Sequence, residues 1–132
     1  MMQTLSKYQP IALSVLRFYA GLSIMQHGTV KILGFPSGAP YGLASVGTLS
    51  WTGGMIELIG GALIVLGLFT RPVAFVMAGF TAVAYFMVHA PASFFPIVNK
   101  GELAAVYCFV FLYLIFAGAG PLSLDAIIRK KV

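Results

Sequence analysis

The side chains best able to exchange protons in this 132-residue chain are two histidines, His27 and His89, and three acids, Glu57, Glu102 and Asp125. His27, Glu57, His89 and Glu102 all fall toward the same end of the apolar stretches that hold them, with Lys31, Lys100 and Tyr85 at the rim. An imidazole and a carboxylate can bond the oxygens of a quinone-like or phenolic head group and pass protons, while aromatic walls hold its ring. The four residues are therefore the candidate ligand-binding or proton-handling set. The plainer reading is that histidines near a membrane boundary only make interfacial hydrogen bonds. Two His on different helices are also what a haem needs, and two His with two acids are what a metal needs, but neither set has a diagnostic spacing. Quinone is thus the cofactor class expected, haem and metal are disfavoured, and no metal site is assigned.

These residues need helices to position them. Apolar runs at Ile11–Met25, Met55–Phe69, Val73–Val88 and Leu103–Ala119 become helices of about 18 to 22 residues with their flanks, enough for roughly 30 Å of hydrocarbon. Hydrophobic residues make up 60% of the chain and charged ones 8%, so a bilayer is the expected solvent. The chain lacks the alternation of polar and apolar residues that barrel strands require. The expected fold is all-α: an integral membrane four-helix bundle in a single domain over 1–132, with spans at 10–29, 51–69, 72–90 and 102–119. A short amphipathic helix at 122–130 follows, lying on the membrane surface. Lys7, Arg71, Arg129, Lys130 and Lys131 share one side and Lys31 and Lys100 the other, which places both termini in the cytoplasm by the positive-inside rule.

The net charge of +5 does not form a stripe, so no nucleic-acid partner is expected; Arg129, Lys130 and Lys131 read as an anchor on anionic lipid headgroups. Cys108 is the only cysteine, which excludes an internal disulfide or a Cys-x-x-Cys redox pair. The first apolar stretch contains Arg17 and lacks a clear cleavage site, so it reads as a retained span.

Ser14, Arg17, Gly21, Ile24, Gly28 and Lys31 share one face of the first span. Gly53, Glu57, Gly60, Ile64 and Gly67 share one face of the second, with Gly54 and Gly61 beside them, so the two helices can approach closely. A carboxylate inside a membrane needs a cation or a proton. Arg17 is taken as that cation, in a structural ion pair with Glu57 that locks the two helices. The Gly- and Pro-rich segment from Gly34 to Ser50 is a candidate lid, with Tyr41 and Trp51 as belt residues.

The chain resembles the DoxX family of small four-span bacterial membrane proteins. The likeness is carried by Leu16-Arg-Phe-Tyr-Ala-Gly21 running to His27-Gly-Thr-Val-Lys31, by Gly54-Met-Ile-Glu-Leu-Ile-Gly-Gly61 and by Leu66-Gly-Leu-Phe-Thr-Arg-Pro72. Val88-His-Ala-Pro91, Phe94-Phe-Pro96, Gly101-Glu-Leu103 and Gly120-Pro-Leu-Ser-Leu-Asp125 extend it. The resemblance implies a multi-pass protein of the bacterial inner membrane and carries the family's Arg, His, Lys and Glu positions onto Arg17, His27, Lys31 and Glu57. It also implies a redox association, since the family name derives from a quinone-reducing small subunit. The expected function is a redox-associated membrane subunit that binds a quinone or similar lipid-soluble ring and works with a partner protein. A non-enzymatic scaffold or assembly factor is the first alternative. The second is a small-solute transporter, for which a homo-oligomer is expected.

Overall fold

The computed structural model describes residues 2–130, and all regular structure among them is helical. A short α1, Met2–Ser6, precedes the longest helix, α2, Gln9–Leu33. Pro10 sits in the first turn of α2, where its missing N–H costs nothing. The helix stops because Gly34 turns left-handed at φ 69°, so that the Gly34 and Phe35 amides close back on the Val30 and Thr29 carbonyls. A loop then leads to α3, Leu49–Leu66, whose start is capped by the Thr48 hydroxyl accepting from the Trp51 amide at 3.2 Å. Gly67 ends α3 in the same left-handed way.

Phe69 makes the turn into α4, Thr70–Ala84, and the helical path goes on through a π turn at Tyr85–His89 and a 3-10 turn at Ala90–Ala92. A single turn of helix, α5, Pro96–Asn99, leads into α6, Glu102–Ala117. The last helix, α7, spans Leu124–Arg129, shorter than the 122–130 expected. Lys131, expected in the headgroup anchor, lies outside the described residues.

Among the described residues, two helical stretches are long and apolar enough to cross a membrane: Leu49–Leu66 and the continuous Thr70–Ala92. α6 is apolar but only 16 residues long, and α2 is diluted by Arg17, His27, Lys31 and several hydroxyl and amide side chains.

The helices pack as two pairs, α2 along α3 and α4 along α6, with α3 touching α4 between them. Glycine explains the first pair. A Cβ on Gly21 would lie 2.7 Å from the Val65 amide nitrogen, one on Gly28 2.7 Å from the Gly54 carbonyl, and one on Gly61 2.8 Å from the Met25 Cα, so the two backbones are nearly in contact. The other glycine face of α3 serves α4: Gly53 lies under the Phe80 ring and Gly60 under the Met77 side chain. Doubling the glycines at 53–54 and 60–61 therefore lets one helix receive a neighbour on each side. The core that results is Ile24, Ile64, Ala74, Met77, Ala78, Tyr107, Phe111 and Leu114. Phe75, Val83, Phe86, Phe109 and Phe116 face outward with more than half their surface open, an apolar exterior unsuited to water.

Candidate functional site

Glu57 is buried, and its carboxylate Oε2 accepts from the Lys31 ammonium at 2.8 Å. This pairing corrects the expected one with Arg17. On the antiparallel register of α2 and α3, Gly28 lies level with Gly54 and Leu58, and Gly21 with Ile64 and Val65. Glu57 therefore faces the turn just before Lys31, while Arg17 faces the end of α3, seven residues or about 10 Å further on.

Arg17 does different work. It is 2% exposed, and its guanidinium donates to the Ile64 and Val65 carbonyls at 2.6 Å each, to Ala119 O at 2.8 Å and to Leu122 O at 2.5 Å. Ile64 and Val65 are in the last turn of α3, where carbonyls lack the amide four residues on and the helix dipole favours a cation, although Ile64 O also accepts from the Gly67 cap amide at 3.1 Å. One side chain thus caps α3 and holds down the segment after α6. Ser14 supports it, its hydroxyl accepting from the Leu122 amide at 3.2 Å. Asp125 completes this end of the molecule by accepting from the Phe69 and Thr70 amides at 2.8 and 2.9 Å, an acid at the N-terminus of α4. Burial pushes its carboxyl up, but the amide bonds and nearby Arg129 outweigh that and hold it below the ordinary carboxylate range.

At the other end, aromatic groups surround the Lys31–Glu57 pair. The loop after α2 folds back so that the Ala44 amide donates to the Lys31 carbonyl at 2.8 Å. That tie lays Tyr41 against α2: its hydroxyl bonds His27 Nδ1, its ring is nearly parallel to the imidazole at 5.9 Å, and Lys31 Nζ lies 5.6 Å from its centroid. Tyr107 of α6 meets the His27 ring edge-on at 6.3 Å, and its hydroxyl donates to Ser23 Oγ at 2.6 Å. The Tyr41 phenol is pushed up to about 12, first by burial and then by the Glu57 carboxylate and Tyr107, so it keeps its proton at neutral pH.

The other residues singled out from the sequence lie elsewhere. His89 Nδ1 is 3.0 Å from the Asn99 carbonyl oxygen, and the Asn99 amide donates to the Tyr85 hydroxyl at 3.1 Å and to Ser93 O at 2.9 Å, while its own oxygen accepts from the Gly101 amide. His89 and Tyr85 thus belong to a knot around Asn99 that fastens the π turn to the α5 connection. Glu102 and Lys100 are exposed, and Glu102 borders an apolar groove of about 790 Å³ along α6 with Val106, Phe109 and Tyr113. Among the described residues no hydrogen bond, ion pair or ring contact joins His89 or Glu102 to the Lys31–Glu57 cluster, so the four candidates do not form one pocket. The depth argument placed all four at one end, but helices that pack in pairs bring only His27 and Glu57 together. The same residues form no group of three or more metal-ligating side chains.

Sequence reasoning missed Asn99, which is 5% exposed, and the part played by Tyr41. Asn99 had a faint signal, a polar residue between Pro96 and Gly101 in an otherwise apolar turn. Tyr41 stood in the candidate lid but was read only as a belt residue, because its contacts with His27 and Lys31 depend on how a long loop folds back.

The DoxX family profile matches residues 12–90, which run from the first turn of α2 past His89. This chain belongs to the DoxX family. The matched DoxX segment contains Arg17, His27, Lys31, Tyr41 and Glu57, so both the inter-helix cap and the aromatic cluster fall within it, apart from Tyr107. The chain is also 42% identical to a Haemophilus influenzae protein over 134 residues, covering 98% of this chain and 100% of the relative, which is named only as an uncharacterized protein. A second uncharacterized protein of the same organism is 30% identical over 131 residues, covering 91% of this chain and 85% of that relative. No solved structure matches this DoxX chain.

Proposed function

We propose that this DoxX protein is a redox-associated subunit of the bacterial inner membrane, in which α2, α3, α4 through Ala92, and α6 each cross the bilayer and both termini are cytoplasmic. Its pocket is the cluster of His27, Lys31, Tyr41, Glu57 and Tyr107, and its ligand is a quinone or similar lipid-soluble ring that works with a redox partner protein. The observation that carries the reading is a buried carboxylate–ammonium pair bordered by an imidazole and two phenols, with part of the enclosure supplied by a loop. A buried ion pair is a weak source of stability compared with apolar packing, so its cost is better explained by chemistry at the site. Lys31 and His27 supply donors and an acceptor for ring oxygens, and Glu57 sets the charge of the pocket. The apolar exterior and the excess of Lys7, Arg71, Arg129 and Lys130 at the opposite end support the membrane placement.

The test is thermal unfolding of detergent-purified protein with and without a short-chain benzoquinone. A rise of several degrees at saturating ligand is expected from mass action, and His27→Ala or Glu57→Gln abolishes it. No shift with any of several ring analogues contradicts the assignment.

A further inference from the structure

Because α3 packs along α2 and α4 along α6, α3 and α4 meet each other along one line, through Gly53 with Phe80 and Gly60 with Met77. Beside that line a groove of about 480 Å³ opens, with Ile56, Ile59 and Leu63 as one wall and Phe69, Val73 and Val76 as the other. No charged or hydrogen-bonding side chain lines it. Ile59, Phe69 and Val76 each keep more than half their surface open, so the groove faces out of the bundle.

Its length limits what can fill it. From Phe69 to Met77 is eight residues of α4, about 12 Å, close to the roughly 15 Å of hydrocarbon in a single leaflet and far short of the roughly 30 Å that a membrane-crossing partner helix would cover. An acyl chain of one leaflet has that reach.

The mouth of the groove carries charge. Asp125 is fastened to the turn between α3 and α4: its amide donates to Gly67 O at 2.9 Å, and its two carboxylate oxygens accept from the Phe69 and Thr70 amides. Arg129 comes four residues later, on the same face of α7 as Asp125, and Lys130 follows it at the end of the helix. Both bases are exposed, and the carboxylate between them and the turn has both oxygens engaged by amides. An excess of positive charge is therefore fixed at the end where Phe69 opens the groove.

We propose that the groove between α3 and α4 seats one acyl chain of an anionic phospholipid, whose phosphate is held by Arg129 and Lys130 in the leaflet nearest α7. The inference goes beyond the ring-binding function and needs only that these helices lie in a bilayer. Charge complementarity names the lipid: each base near an anionic headgroup is worth about 5-fold in affinity, so the pair favours an anionic over a zwitterionic lipid by about 30-fold.

The experiment is native mass spectrometry of the purified full chain in a mild detergent, titrated with phosphatidylglycerol or phosphatidylcholine of identical acyl chains. Wild type should take up one phosphatidylglycerol about 30-fold more tightly than one phosphatidylcholine. Arg129→Gln with Lys130→Gln should bring the two lipids within about two-fold of each other, whereas Lys100→Gln, at the other end of the molecule, should leave the preference intact. Val76→Trp fills the groove from an exposed position and should weaken both lipids about ten-fold. Ile59→Trp does the same from the opposite wall, and melting temperatures identify which of the two tryptophan variants is folded and can be read. Equal affinities in wild type, or a preference that survives loss of both bases, overturns the headgroup assignment. Unchanged lipid binding in a folded tryptophan variant overturns the groove. A wild-type mass of two chains that falls to one in Val76→Trp puts a second copy in the groove and overturns the proposal as well. None of these outcomes bears on the ring ligand, which the benzoquinone shift tests separately.

Discussion

Removing the Lys31 ammonium leaves Glu57 as a charge without a counterion in a position where its side chain is 10% exposed. Breaking one partner of a buried pair costs about 3–5 kcal/mol, whereas removing both can be nearly neutral. Lys31→Met should therefore lower the unfolding free energy by that order, and Lys31→Met with Glu57→Gln should recover most of it. A double-mutant cycle by denaturant unfolding measures the coupling, and additive effects of the two changes would exclude a functional pair between them. Asp125 offers a second test at this scale. Because its folded carboxyl lies below the unfolded value, its contribution is complete above the unfolded pKa of about 3.9 and is lost as pH falls through the folded one. Melting temperature should drop on acidification below about pH 4, and Asp125→Asn should flatten that limb while leaving the neutral value lower. An unchanged acid limb would remove Asp125 from the account. The chemical types of the site residues were readable from the sequence, and His27 and Glu57 do share a cluster. The partner of Glu57 was not, because face-sharing along one helix says nothing of the register between two. Arg17 and Lys31 lie on the same face of α2, and only the glycine contacts decide which of them meets Glu57.

Helices α2 and α3 depend on glycine at Gly21, Gly28, Gly54 and Gly61, where added carbon would strike backbone or a fixed Cβ. Overpacking of this kind costs about 1–3 kcal/mol and more when backbone cannot yield. Gly61→Ala should destabilise by at least that order, while Gly79→Ala in α4, whose new Cβ has nothing within 4 Å, should be neutral or stabilising by about 0.5–1 kcal/mol. Similar losses at both positions would show that helix propensity and not close approach sets these sites. That α3 carries a glycine face was evident from the spacing. That it carries two, Gly54 and Gly61 toward α2 and Gly53 and Gly60 toward α4, was not, since residues 100° apart on one helix serve different neighbours only once the neighbours are placed. The reach of this helix to His89 was expected from the apolar run, but the π form of its last turn, where His89 and Tyr85 meet Asn99 of the α5 connection, was not.

The whole molecule separates its polar groups into two ends. Arg17 and Asp125 satisfy helix termini at one end, and the His27–Lys31–Tyr41–Glu57 cluster gathers under a loop at the other. If four helices cross the bilayer, these ends face opposite aqueous phases. In a Cys108→Ser background, a cysteine placed at Ser37 should react with an impermeant maleimide in intact cells, and one placed at Lys130 only after permeabilisation. The reverse pattern would invert the topology. All-helical architecture was legible from the length of the apolar runs and their lack of alternation, and an apolar exterior from composition; the division of the polar residues between separate clusters was not, because depth along a span leaves the angle around the bundle undetermined. The claim on which the account turns is that a ring ligand occupies the space beside His27 and Lys31. Photolabelling of the protein in native membranes with a diazirine-bearing benzoquinone, followed by peptide mapping, tests it most directly. Adducts concentrated on the peptides that carry His27, Tyr41 and Glu57 are the predicted result, and adducts spread along α4 and α6 with those peptides unlabelled would contradict it.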